Sequence, residues 1–138
     1  MTKVMVSGCF DVLHAGHIAF LEEAATHGNL YVSIGSDDTI LTYKNRPALY
    51  TQEERKYMLE ALRCVHQVFI GPDTGIMDFA PLLDVIKPDI FFVNQDGDSP
   101  LKRTIIESKG IRYIVSKRVP HDKLPHRSTT TIRNMLKK

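Results

Sequence analysis

The stretch Val4–Gly35 reads VMVSGCFDVLHAGHIAFLEEAATHGNLYVSIG. It opens on a short apolar run, Val4 to Val6, which Ser7-Gly8 ends as a buried strand would end. From Ala15 to Thr26 the period changes. Ile18, Leu21, Ala24 and Ala25 recur on one helical face, Glu22 and Glu23 fall on the other, and Gly28 is a candidate C-cap. Leu30 to Ile34 is a second apolar run, closed by Gly35-Ser36-Asp37-Asp38. Strand, helix and strand in this order make the repeating unit of a parallel sheet.

The alternation continues along the chain. Residues 42–50, TYKNRPALY, read as a loop. Thr51 opens the next helix, and Glu54 completes a capping-box pattern; Tyr57, Met58, Leu59, Ala61 and Leu62 supply its apolar side. Val68–Ile70 is a third strand. Gly75–Ile86 reads as a helix with Pro81 inside it, and Ile90–Val93 as a fourth strand. Ser99-Pro100 begins a helix that Lys109-Gly110 ends, and Ile111–Val115 is a fifth strand. After a loop holding Pro120 and Pro125, Ser128 caps a last helix through Leu136. Short continuous apolar strands separated by helices predict a Rossmann-like α/β fold: three αβα layers around a five-stranded parallel sheet.

The bounds agree. At 138 residues the chain reads as a single domain, residues 1–138, long enough to bury about two-thirds of its unfolded surface. A hydrophobic fraction of 43% and a charged fraction of 25% are those of a soluble globule. A net charge of +2 points to neither nucleic acid nor a membrane surface as partner. No apolar run approaches the roughly 20 residues of a membrane span, and Met1–Lys3 does not begin a signal peptide. Cys9 and Cys64 form no CxxC, so a reduced, cytoplasmic chain is expected.

Ligands of such sheets sit beyond the C-terminal strand ends. The polar segments there are Gly8–His17, Ser36–Asp38, Asn94–Asp98 and Lys117–Thr130. Gly8 permits a tight strand exit and Gly16 a close approach at the helix start. His14 lies just before that helix and His17 in its first turn, so the two share a face. Helix N-terminal amides favour a phosphate, and two imidazoles would add donors to the same anion. Two other readings stand beside this one. A metal-binding pair usually lies four apart with a nearby acid, whereas these are three apart around Gly16. A purely structural pair would have one histidine capping the helix and the other exposed. The glycines fit GxGxxG poorly, so a dinucleotide site is weakly supported.

GCFDVLHAGH followed by IAFLEEA resembles the signature of the HxGH nucleotidyltransferase superfamily, in its cytidylyltransferase-like branch. RPALYTQEERKYMLEAL is similar to that family's second helix with its Arg, here Arg55, and RSTTTIR resembles its terminal S-T-T segment. The wording is nearest to the nucleotidyltransferase domain of ADP-heptose synthase; glycerol-3-phosphate cytidylyltransferase and archaeal FAD synthetase are similar too. The resemblance implies transfer of a nucleoside monophosphate from ATP or CTP, with Mg²⁺, to a phosphorylated small metabolite. A phosphate oxygen of the acceptor attacks the α-phosphate in line and pyrophosphate leaves. The implied acceptor is a sugar phosphate; glycerol 3-phosphate and FMN are the alternatives. A nucleotide-binding sensor without catalysis is the alternative of another class. Homodimers are common among such relatives.

Residue by residue, the resemblance implies His14, His17, Lys44 and Arg55 as the catalytic set. Gly8, Cys9, Phe10, Asp11, Gly16, Asp96, Lys123, Ser128, Thr129 and Thr130 would join the histidines in binding nucleotide, and Lys44 and Arg46 would bind substrate phosphate. Asp11 is expected to hold its loop, because an attacking phosphate oxygen is already anionic. Arg55 could instead pair at the surface with Glu54 or Glu60. The sequence departs from the family in two places: KLPHR, with Lys123 and His126, precedes Ser128, and NQDGD follows the fourth strand. These departures leave base and acceptor open.

Overall fold

The computed structural model describes residues 1–72, 75, 77–117 and 129–136. The elements in chain order are β1 (Lys3–Gly8), α1 (Ala15–Ala25), β2 (Asn29–Ile34), α2 (Asp37–Lys44), α3 (Gln52–Glu60) and β3 (Val65–Ile70). They continue with α4 (Ala80–Ile86), β4 (Ile90–Val93), α5 (Pro100–Ser108), β5 (Arg112–Val115) and α6 (Thr129–Leu136). The strands form one parallel sheet in the order β3-β2-β1-β4-β5. This is the five-stranded α/β sheet expected from the alternation of apolar runs.

Alternate residues of each buried strand serve opposite faces. On one face, Val4 and Val6 of β1 join Leu30, Val32 and Ile34 of β2 against Leu21 and Ala24 of α1 and Leu59 of α3. On the other, Met5, Phe91, Val93 and Tyr113 pack with Phe79, Leu82, Leu83 and Ile86 around α4 and with Ile106 of α5. The sheet is therefore covered on both sides, which is why its strands carry no polar alternation.

Three elements differ from the reading of the sequence. Residues 37–44 are helix α2, not strand-end and loop. Ser36 caps it by accepting from Thr39 N–H, Asp37 and Asp38 favour its first turn, Lys44 its last, and Asn45 closes it at φ 54°. Its apolar face is too thin to show as a period: only Thr39 and Ile40 are buried. Helix α4 starts at Ala80, not at Gly75, because Pro81 is tolerated only in a first turn. Strand β3 begins at Val65 rather than Val68; it is an edge strand, so His66 and Gln67 face solvent and break the apolar run.

Candidate active site

The strand order turns back at β1, with β2 on one side and β4 on the other. The crevice beyond their C-terminal ends is where open α/β sheets bind ligands. The chain leaving β1 passes through Phe10 at φ 50°, a left-handed conformation that a bulky residue adopts only when its surroundings enforce it. Gly8 provides the room: a Cβ there would stand 2.9 Å from the Phe10 ring. The ring is 7% exposed and meets His17 edge-on at 5.2 Å.

His14 is the N-cap of α1, and the two histidines form a reciprocal capping box. Gly16 N–H donates to His14 Nδ1 at 3.1 Å, and His14 N–H donates to His17 Nδ1 at 3.3 Å. Their rings stack at 3.8 Å. Each Nδ1 accepts a hydrogen bond, so in the neutral rings the proton lies on Nε2. The structural and functional readings of this pair are therefore compatible: capping uses Nδ1, and Nε2 is a donor. His17 is pushed down to about 4, first by burial and then by the charges of His14 and Lys44. It is a neutral donor at pH 7. That electrostatic link also brings Lys44, at the C-terminal end of α2, to the histidines. Gly16 is exposed, and its amide is engaged by His14 Nδ1.

Asp11 is 3% exposed. It accepts from Leu49 N–H at 2.9 Å and Tyr50 N–H at 3.1 Å, and it pairs with Arg46 at 3.3 Å and Arg133 at 2.7 Å. Burial works to raise its carboxyl, but the two amides and two guanidinium groups outweigh burial and hold it below the usual range. Asp11 is thus an ionised anchor for the segment before α3, as expected. Arg46 is committed to that anchor in this state. Arg133 of α6 was not singled out from the sequence. The signal for it was spacing, since it stands one helical turn after Thr130.

Arg55 requires a correction. Its side chain is 0% exposed, and its partner is Asp37 at 2.8 Å, not Glu54 or Glu60. Nη1 donates to the carbonyls of Cys9 at 2.9 Å and Gly35 at 2.7 Å, and Nε donates to that of Tyr50 at 3.1 Å. Its donors run to backbone carbonyls and to the Asp37 carboxylate, so it ties the ends of β1 and β2 to α2 and α3. Cys9 is half-buried with a free thiol. Asp96 lies exposed in the loop after β4, and Thr129 and Thr130 open α6. Lys123, His126 and Ser128 lie outside the described residues. Among the described residues, no three His, Cys, Asp or Glu side chains gather to hold a metal ion, and no helix is long and apolar enough to cross a membrane.

Comparison with known proteins places this geometry. The cytidylyltransferase-like family model matches residues 5–135. The FAD synthase of Methanocella paludicola is 36% identical over 141 residues, covering 99% of this chain and 97% of that protein. The FAD synthase of Thermococcus kodakarensis is 36% identical over 116 residues, covering 80% and 78%. Among solved structures, the lipopolysaccharide core biosynthesis protein of Thermoplasma volcanium superposes with a TM-score of 0.74 at 25% identity, covering 87% of this chain and 99% of that one. A match of this length, over a chain whose first loop and last helix meet at Asp11, shows the family: the chain belongs to the cytidylyltransferase-like family and is a nucleotidyltransferase.

Proposed function

We propose that the protein is an FMN adenylyltransferase, joining ATP and FMN to give FAD and pyrophosphate. The observation that carries this acceptor is the name FAD synthase on relatives above 30% identity, one of which matches nearly end to end. This prefers the FMN alternative over the sugar phosphate that the motif wording first suggests. The sugar-phosphate reading keeps one support, the Thermoplasma lipopolysaccharide protein of similar fold.

In this reading an oxygen of the FMN phosphate attacks the α-phosphorus of ATP. The new phosphoanhydride bond forms as the α–β bond breaks, and the electron pair leaves on pyrophosphate. No proton need be abstracted, so positioning and charge stabilisation are the protein's task. The Nε2–H groups of His14 and His17 donate to the phosphates as charge shifts, with Lys44 supplying the positive charge. The backbone at Gly8–Phe10 and the start of α6 at Thr129 and Thr130 line the nucleotide; Ser128 and Lys123, outside the described residues, are assigned to nucleotide binding by the resemblance alone. Asp96 meets the nucleoside, and Arg46, paired with Asp11 but with its side chain 31% exposed, is the cation offered to the acceptor phosphate. Mg²⁺ would come with the triphosphate and would supply charge neutralisation at its phosphates.

The test is a grid of ATP or CTP, with Mg²⁺, against FMN, heptose 1-phosphate and glycerol 3-phosphate, read by pyrophosphate release and by chromatography of the product. ATP with FMN should yield FAD. Turnover confined to a sugar phosphate would overturn the acceptor. His17→Ala should lower kcat on the order of a hundredfold, the scale for one lost transition-state donor; unchanged kcat would remove the mechanism.

A further inference from the structure

The segment between β4 and α5, Asn94–Ser99, reads NQDGDS. Asn94 and Gly97 occupy the first and fourth positions of a β-turn, places that Asn and Gly favour. Gly97 N–H reaches the Asn94 carbonyl at 3.1 Å and the Asn94 side-chain Oδ1 at 2.6 Å. Asp96 therefore stands at the third position of the turn, exposed. Two side chains from outside the loop hold this turn. Lys102 of α5 donates from Nζ to the Gly97 carbonyl at 3.1 Å. Tyr113 of the edge strand β5 donates from its hydroxyl to Asp98 Oδ1 at 2.9 Å, and Ser99 N–H points back at that hydroxyl from 3.5 Å.

Tyr113 is itself fixed. It is 8% exposed, its ring lies parallel to that of Phe91 at 6.4 Å, and the Arg103 guanidinium sits 4.9 Å over it. Burial and Asp98 push the phenol up to about 12, so the hydroxyl keeps its proton throughout the neutral range. A phenol on a strand is a rigid post, and the turn is fastened to it.

We infer that Tyr113 and Lys102 are positioning residues for nucleoside binding: they hold the Asn94–Gly97 turn so that Asp96 is presented in place before nucleotide arrives. This rests on the nucleotidyl-transfer reading and on the nucleoside role of Asp96. A loop ordered in advance spares the bound state the cost of ordering it. The effect belongs in nucleotide affinity, not in the chemical step.

The experiment compares wild type, Tyr113→Phe, Lys102→Met and Asp96→Asn by calorimetric binding of Mg·ATP, with Mg·CTP as a second probe, and by steady-state kinetics. Tyr113→Phe keeps the ring and loses only the hydroxyl. It should raise Kd and KM for the nucleotide about three- to tenfold, the worth of one hydrogen bond, with kcat and acceptor KM within twofold. Lys102→Met should move the same quantities the same way. Nucleotide KM unchanged in both variants, or a fall in kcat equal to the rise in KM, would overturn the clamp. An effect in the clamp variants without one in Asp96→Asn would overturn the proposal that the clamp acts by presenting Asp96. Wild type binding neither nucleotide would overturn the nucleotidyl-transfer reading and the clamp with it.

Discussion

Arg55→Met separates a tie from a catalyst. The substitution keeps an unbranched side chain but strips the buried guanidinium from three carbonyls, those of Cys9, Gly35 and Tyr50, and from the Asp37 carboxylate. Asp37 is 45% exposed and can rehydrate, so little of the loss is charged to it. The Gly35 bond is wholly buried, and an acceptor left unsatisfied there costs about 1–3 kcal/mol. The other two carbonyls are part-buried and fall at the low end of that range. Together the loss should be about 3–5 kcal/mol, the scale for stripping one partner from a buried charged network. For a domain of this size that lowers the melting midpoint by on the order of 10 °C or more. Urea unfolding followed by circular dichroism measures it, with unchanged slope as the check on two-state behaviour. Arg55→Lys keeps the charge but cannot span four acceptors, so it should restore less than half; it also carries the measurement if the methionine variant does not fold. A stability within about 1 kcal/mol of wild type, combined with a hundredfold fall in kcat, would refute the reasoning and return Arg55 to the substrate.

Two further predictions concern charge. His17 titrates at about 4 in the fold against 6.5 as its ordinary value, so between those pH values the unfolded chain binds the extra proton. Its contribution to stability is complete above pH 6.5 and is lost as pH falls toward 4, by about 3 kcal/mol at most. His17→Asn should flatten that part of the stability–pH curve, and a native His17 midpoint near 6.5 by NMR titration would contradict it. Arg46→Ala should cost under about 1 kcal/mol, because its 3.3 Å pair is part-exposed and Asp11 retains two amides and Arg133; Asp11→Asn should cost about 3–5 kcal/mol by stranding two guanidinium groups. Equal losses in chemical denaturation would show that the anchor is Arg46 itself.

The sheet was legible because parallel strands covered on both faces carry continuous apolar runs, as Val4–Val6 of β1, Leu30–Val32 of β2 and all of β4 do. Helix α2 was not, because a helix lying at the mouth of the site buries only Thr39 and Ile40. Its capping signals at Ser36, Asp37, Asp38, Lys44 and Asn45 carried the information that periodicity lacked. The position of Arg55 hinted at an unusual environment, since a cation near a helix start works against the dipole. What no local pattern could tell is that its donors run to Cys9 and Gly35, 46 and 20 residues away in sequence. Arg133 is similar: its contact with Asp11 spans 122 residues. Motif residues are visible one by one, while the tertiary bonds that hold them are set by how strand ends converge.

Those bonds change what the histidines can do. Read from spacing alone, a pair of histidines at a helix start offers two donors to a phosphate, with a charged form open to each. The fold removes that option for His17, because burial, His14 and Lys44 all disfavour its charged form. It supplies a fixed neutral donor instead, its ring orientation set by His14 N–H on one side and the Phe10 edge on the other. A neutral donor held in place needs no reorganisation when charge develops on a phosphate oxygen, whereas a solvated cation must first shed water. The strained turn at Phe10 and the small residue at Gly8 follow from this, since together they seat the ring that supports His17. In the proposed reaction positive charge is left to Lys44, at the end of α2, and to the two guanidinium groups that share Asp11. The proposed reaction thus draws orientation from residues in the β1–α1 loop, and charge from residues brought in from α2, α6 and the loop after α2.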